Sequence, residues 1–193
     1  LLKITSRLKE MREAELNHAR KARIASLKAT TDELTGLKNR RFLNTFLEYQ
    51  WHSTKRSSED AVIVFFDIDH FKKINDVYGH DSGDMALRVF ASCLEGEARA
   101  ADIVGRWGGE EFIIVMPNAD LTQAMKTANT LIDATQKLNF SVGNKSVSLT
   151  TSIGVASSIP SVDGSYEKLI SSADKALYQA KSEGRNGVSQ WQD

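Results

Sequence analysis

The sequence predicts an α+β layer fold, a mixed central sheet with surrounding helices, most of them expected on one face. Two observations predict it. Apolar runs of strand length alternate with longer stretches of helical periodicity, in the order β-α-α-β-β-α-β-α. Two of those runs, 102–107 and 111–116, are joined by Gly108-Gly109, which reads as a two-residue hairpin with positive φ at both glycines.

Residues 1–29 contain no Gly or Pro and are rich in Leu, Ala, Lys, Arg and Glu, which favour helix. Ile4, Leu8 and Met11 form an apolar stripe, continued by Ala22, Ala25 and Ala29 and interrupted by Glu15 and His18. The pattern fits a two-stranded coiled coil or an amphipathic linker helix. Such a helix cannot bury its stripe alone, so it is expected to pair with its copy or to continue from an upstream domain. Residues 30–193 form the main domain. A helix is expected over Arg40–Trp51, then a polar loop over Ser53–Asp60 and a strand over Ala61–Phe66. A short helix, Phe71–Tyr78, and a longer one, Ser82–Arg99, precede the hairpin. Helix Leu121–Asn139, an alternating strand Lys145–Val155 and helix Tyr166–Ser182 complete the order. Layered sheets of this kind are related to ferredoxin-like and polymerase-palm folds.

Composition removes several function classes. The chain has 193 residues, 41% hydrophobic and 26% charged, which suits one globular domain with an appendage. No apolar run approaches the roughly 20 residues of a membrane span, and no signal-peptide pattern opens the chain. A cytoplasmic location is expected, with membrane anchoring upstream of residue 1 left open. The first residue is Leu1 rather than Met, which suggests a piece of a longer polypeptide. Cys93 is the single cysteine, so it has no internal disulfide partner, and it reads as a small core residue rather than a catalytic thiol. His18, His52, His70 and His80 lack zinc-site spacing. Residues 1–30 hold eight basic and three acidic residues, leaving 17 of the 25 basic and 22 of the 25 acidic residues in the remainder. Nothing in that balance calls for a nucleic-acid polymer.

The chemistry is concentrated at two strand ends. The apolar run Ala61–Phe66 ends abruptly in Asp67-Ile68-Asp69, and the hairpin turn is followed at once by Glu110-Glu111. Carboxylates beside a core cost free energy unless a cation or donor meets them. Oxygen ligands without clustered His or Cys suit Mg²⁺ or Mn²⁺. Either acid alone would read as a solvated strand end; together they point to a divalent-metal site of the kind that serves a nucleoside triphosphate. Phe71-Lys72 opens a helix directly after Asp69, and the free N–H groups of a helix start attract phosphate. Lys181 and Arg185 flank the end of the last helix, where cations are ordinary. Asn75 and Asp84 have base-recognition chemistry, since an Asp can accept from guanine N1 and N2, although each alone is more often a surface residue or a cap.

These motifs together resemble the GGDEF domain, the diguanylate cyclase family, here with Glu in the third position as Gly108-Gly109-Glu110-Glu111-Phe112. Residues 30–190 carry the resemblance. Asp32-Glu33-Leu34-Thr35-Gly36-Leu37-Lys38-Asn39-Arg40-Arg41 is similar to the family's opening motif. Phe66–Asp76, Gly79-His80-Asp81 and Gly83-Asp84 match its first strand and following helices, and Ala173–Tyr178 with Gly184-Arg185-Asn186 its closing motif. The resemblance implies that Asp67, the Ile68 carbonyl and Glu110 bind two divalent cations per active site, Mg²⁺ or Mn²⁺. It implies that Phe71 and Lys72 meet the triphosphate, that Lys181 and Arg185 grip its distal phosphates, and that Asn75 and Asp84 recognise guanine. Gly108 and Gly109 would leave space for the nucleotide, and Glu111 would lie near the ribose and the attacking 3′-hydroxyl. The family condenses two GTP molecules to cyclic di-GMP and two pyrophosphates across an antiparallel pair of domains.

Arg99-Ala100-Ala101-Asp102 ends five residues before Gly108, as does the family's Arg-x-x-Asp product-inhibition site. Some members supply a second arginine from the next helix, whereas Leu121–Asn139 contains none and Thr130 stands at that place. Cyclic di-GMP is therefore expected as both product and feedback ligand, with inhibition weaker than in those members or completed by an arginine from elsewhere. The rival expectation is a catalytically silent domain that binds GTP or cyclic di-GMP. A cyclase making a mixed guanine–adenine product is a narrower one, against which Asp84 speaks.

Overall fold

The computed structural model describes residues 29–57, 60–158 and 164–191, with Arg12, Glu15 and Ser26 as isolated helical positions. The apolar stripe Ile4, Leu8, Met11, Ala22 and Ala25 lies outside the described residues. The body contains helices α1 (Arg40–Ser57), α2 (Phe71–Tyr78), α3 (His80–Glu97), α4 (Leu121–Gln136) and α5 (Tyr166–Ser182). Its strands are β1 (Ala61–Ile68), β2 (Ile103–Gly108), β3 (Glu111–Val115), β4 (Asn139–Val142), β5 (Lys145–Ser148), β6 (Thr151–Ser158) and β7 (Val188–Gln190). Among the described residues no helix is long and apolar enough to cross a membrane.

The main sheet runs β2-β3-β1-β6-β7. Its pairs are antiparallel except β6 with β7, which is parallel. β1 is central and buried along all eight residues. A strand that is buried throughout must be covered on both faces, and the helices divide accordingly rather than lying largely on one side. Val62, Val64, Phe66, Phe112 and Ile114 face a core shared with α2, α3 and α4. Ile63, Phe65, Ile113 and Val115 face Leu43, Leu47 and Trp51 of α1 and Leu169, Ala173 and Leu177 of α5. Gly154 in β6 admits α5 at close range, because a Cβ there would overlap the Ala173 carbonyl and the Leu177 backbone.

Several elements differ from the sequence reading: α1 runs on to Ser57, into the expected polar loop Ser53–Asp60, and β4 is unexpected. The expected strand Lys145–Val155 breaks at Leu149-Thr150. Its first part pairs with β4 in a separate two-stranded sheet, and its second part is β6. The break has a cause: the Asp69 N–H donates to the Thr150 carbonyl at 2.9 Å, and the Thr150 hydroxyl donates to Asp69 Oδ2 at 2.8 Å. β7 is three residues long, too short for periodicity to show. α4 ends at Gln136, ahead of the expected Asn139, because Asn139 opens β4. Its start follows the sequence signature, with Asp120 and Gln123 forming a capping box.

The open edge of β2 is partly covered. Lys38 bridges to Gly105 in parallel fashion. The Lys38 N–H donates to the Val104 carbonyl at 3.2 Å and its carbonyl accepts from the Arg106 N–H at 2.8 Å. A Cβ on Gly105 would come within 2.7 Å of the Lys38 carbonyl and of Leu43.

Candidate active site

Pairing puts the predicted carboxylates in one place. Asp67 near the end of β1 lies opposite Glu111 at the start of β3, and the Ile68 N–H donates to the Glu110 carbonyl at 3.3 Å. Asp67 is only 7% exposed. Burial raises its carboxyl above the ordinary range; Glu110 and Asp69 push the same way, and Lys181 opposes them. Lys181 Nζ lies 2.8 Å from Asp67 Oδ2, so this lysine, expected on distal phosphates, here sits on the buried acid. Burial also raises Glu111, helped by the charges of Asp67, Asp174 and Glu110 against that of Lys181. Asp67 and Glu111 thus share the field of one ammonium, with Asp69, Glu110 and Asp174 adding negative charge beside them. An oxygen-rich, electron-rich edge of this kind fits a hard divalent cation. Among the described residues no three His, Cys, Asp or Glu side chains gather into a metal cage.

The hairpin turn holds its shape through an unforeseen partner. Positive φ occurs at Gly109 alone, at +52°, and the register slips between Arg106 and Gly108. The two-residue loop is therefore Gly109-Glu110, fitting a type II′ turn rather than the expected type I′. Arg106 grips the Gly109 carbonyl with Nε at 3.0 Å and Nη2 at 2.8 Å. Its Nη1 reaches Asp32 Oδ1 at 3.1 Å. Burial works against the Asp32 charge, but the Thr35 hydroxyl and N–H and the Arg106 guanidinium together hold its carboxyl below the usual range. The opening motif is thus attached to the turn, a contact across 74 positions that no local pattern signals.

α2 begins at Phe71, a buried residue beside exposed Lys72. Its N-cap is His70, in left-handed conformation at φ 56°, whose side chain makes no cap hydrogen bond. Asn75 and Asp84 are brought together across the α2–α3 junction. A Cβ on Gly83 would overlap the Asn75 amide, so the Asn75 side chain lies over Gly83, the neighbour of Asp84. Gly83 belongs to the Gly83-Asp84 motif, but its contact with Asn75 shows only once the helices pack. Arg185 is exposed beyond the end of α5. It and Asn186 both take positive φ, 66° and 48°.

The Arg99–Asp102 pair is closed on itself. Arg99 Nη2 and Nε reach Asp102 Oδ1 at 2.6 and 3.0 Å, and the Arg99 N–H reaches Oδ2 at 2.9 Å. Nη2 also donates to the Pro117 carbonyl at 3.3 Å. The Asp102 side chain is fully buried, while that of Arg99 is 38% exposed. A groove of about 330 Å³ beside them is lined by Leu37, Lys38, Glu95 and Val104 among others. Thr130 is exposed and donates to the Lys126 carbonyl of its own helix. Cys93 is half-buried, and burial together with Glu97 raises its thiol, which makes it a poor nucleophile.

This fold and site have close counterparts. Residues 29–187 match the family described as Diguanylate cyclase, GGDEF domain, and the chain belongs to that family. It is 40% identical over 162 residues to the response regulator PleD of Caulobacter vibrioides, covering 83% of this chain and 36% of PleD. Diguanylate cyclase DosC of Escherichia coli is 38% identical over 161 residues, covering 83% of this chain and 35% of DosC. The chain therefore spans little more than a third of these curated relatives. The crystal structure of the coiled coil and GGDEF domain of DgcB from Caulobacter crescentus, in complex with c-di-GMP, aligns with TM-score 0.86 and 28% identity. It covers 97% of this chain and 98% of the DgcB chain.

Proposed function

We propose that this chain condenses two GTP molecules into cyclic di-GMP and two pyrophosphates, one GTP held by each of two antiparallel domains. The observation that carries this reading is the junction of Asp67 with Glu111 and the Glu110 turn, with Lys181 already on Asp67. Asp67, the Ile68 carbonyl and Glu110 hold two divalent cations, Mg²⁺ or Mn²⁺, which when bound neutralise phosphate charge and acidify the 3′-hydroxyl. The α2 start at Phe71 and Lys72 receives the triphosphate, and Lys181 and Arg185 grip its distal end. Asn75 and Asp84 read the guanine edge, and Gly108 and Gly109 leave room for the nucleotide. The 3′-oxygen of one GTP bonds to the α-phosphorus of the other as pyrophosphate leaves. Glu111, whose basicity burial and neighbouring carboxylates raise, takes the hydroxyl proton. The reciprocal transfer closes the ring. Cyclic di-GMP feeds back at Arg99 and Asp102.

Residues 1–29 act as the signalling and dimerisation helix, and 30–193 as the cyclase domain, under an upstream sensor in the full-length chain. The test is incubation of the purified protein with GTP and Mg²⁺ and chromatographic identification of the product, over a range of protein concentrations. Cyclic di-GMP is expected, and a protein starting at Thr30 should need a higher concentration for the same specific activity. GTP bound but recovered unchanged would replace the enzyme with a binding module.

A further inference from the structure

Asp69 is a buried carboxylate that the proposed reaction does not use. It is 5% exposed, and among the described residues no basic side chain forms an ion pair with it. Three neutral donors satisfy it instead. The Ser152 hydroxyl donates to Oδ1 at 2.7 Å, the Thr150 hydroxyl to Oδ2 at 2.8 Å, and the Asn186 N–H to the same Oδ2 at 3.0 Å. A single side chain therefore joins the end of β1, the start of β6 and the turn after α5.

That turn is where Arg185 stands. Two successive non-glycine residues at positive φ are uncommon and persist only where the surroundings hold them. The holding bonds lie on either side of Arg185. Its own N–H donates to the Ala180 carbonyl at 3.0 Å, the six-to-one bond of a Schellman helix end. The next N–H, that of Asn186, is held by Asp69. The Arg185 backbone is thus fixed between the helix end and the strand that carries Asp67 two residues earlier.

We infer that Asp69 is a positioning residue, which fixes the left-handed turn at Arg185 and Asn186 so that the arginine stands at the phosphate end of the Asp67–Glu111 site. This rests on the reading in which Arg185 meets the distal phosphates of GTP. Asp69 touches no reacting atom, so its loss should appear in nucleotide binding and not in the chemical step.

The experiment measures KM for GTP and kcat with Mg²⁺ for wild type, D69N, R185A and the double variant. Replacing the charged acceptor removes a hydrogen bond of the charge-assisted kind, so D69N should raise KM about tenfold and leave kcat within about twofold. In the R185A background D69N should add little, because the two changes remove one interaction. A KM that R185A leaves unchanged would sink the phosphate role of Arg185 itself, whatever D69N does. If R185A raises KM while D69N lowers kcat alone, changes neither constant, or adds its full effect to R185A, the positioning role is wrong and the proposed function stands. Should D69N not fold, T150V takes one of the two donors from Oδ2 and should raise KM about threefold at constant kcat. An unchanged KM in T150V would then overturn the inference.

Discussion

The two ends of β2 treat charge in opposite ways. At its outer end Arg99 and Asp102 neutralise each other through three short hydrogen bonds. At its inner end the hairpin leads into a group of carboxylates, two of them displaced upward by burial and by neighbouring acids. The outer pair is at rest. The inner group is held in a state that a cation would relieve, as functional sites commonly are. The comparison separates residues that stabilise the fold from residues the fold must support.

The largest test of this contrast is D67N. Activity should fall by about three orders of magnitude or more, as loss of a charge-stabilising group does, while the metal-free protein should not lose stability at neutral pH. The sign follows from the raised carboxyl. A folded-state pKa above the unfolded value gives stability that is present below the ordinary aspartate range and is lost as pH rises through the folded value. The neutral amide escapes that loss. Thermal melts of both proteins at pH 7 and near pH 4 should show D67N level with or above wild type at pH 7, and the margin shrinking in acid. A melt well below wild type at pH 7 would make Asp67 a structural residue.

G83A comes next. The added methyl overlaps the Asn75 amide, which must swing away from Gly83. KM for GTP should rise about tenfold, the worth of one good polar contact, with the melting temperature changed by a few degrees. Steady-state kinetics against GTP and ATP would show whether base discrimination falls with it.

R99A probes the resting end. Inhibition by added cyclic di-GMP should weaken about tenfold, and the buried Asp102 carboxylate would lose its guanidinium, at about 1–3 kcal/mol of stability. Initial rates against product concentration, with a denaturant titration beside them, read both effects. Superimposable inhibition curves would leave the pair with a purely structural role.

The smallest expected effect is that of D32N, which weakens the ion pair to Arg106 but leaves the Gly109 carbonyl bonded. About 0.2–1 kcal/mol of stability should be lost, as for partly exposed pairs, with turnover reduced only a few-fold. A loss as large as that of D67N would mean that the turn depends on the opening motif.

The parts legible from sequence are those with a local signature. Helix α5 falls on the expected residues because Ser165 caps it and its apolar spacing is regular. The hairpin declared itself through two glycines flanked by apolar runs, and Asp67 through a charge ending a buried strand. What stayed hidden is non-local. The turn type depends on Arg106 reaching forward to Gly109 and back to Asp32. The broken strand at Thr150 depends on Asp69, 81 positions away. That the Asn75 side chain lies over Gly83 is invisible until two helices pack. Conversely Arg99 and Asp102 were legible as a motif, but their mutual satisfaction is not, since an i, i+3 spacing does not say whether the two groups face a ligand or each other.

The bridge from Lys38 onto Gly105 bears on how copies of this domain meet. A sheet with bare edges invites another strand to join it, and the usual end of that invitation is fibre or precipitate. Here one margin is taken up by the Lys38 backbone, and the other ends in a strand of three residues. Neither offers a long row of unused N–H and C=O groups. Two copies brought together at high local density are thereby steered toward meeting through loops and helix ends, where a reversible encounter is possible, and away from fusing sheet to sheet.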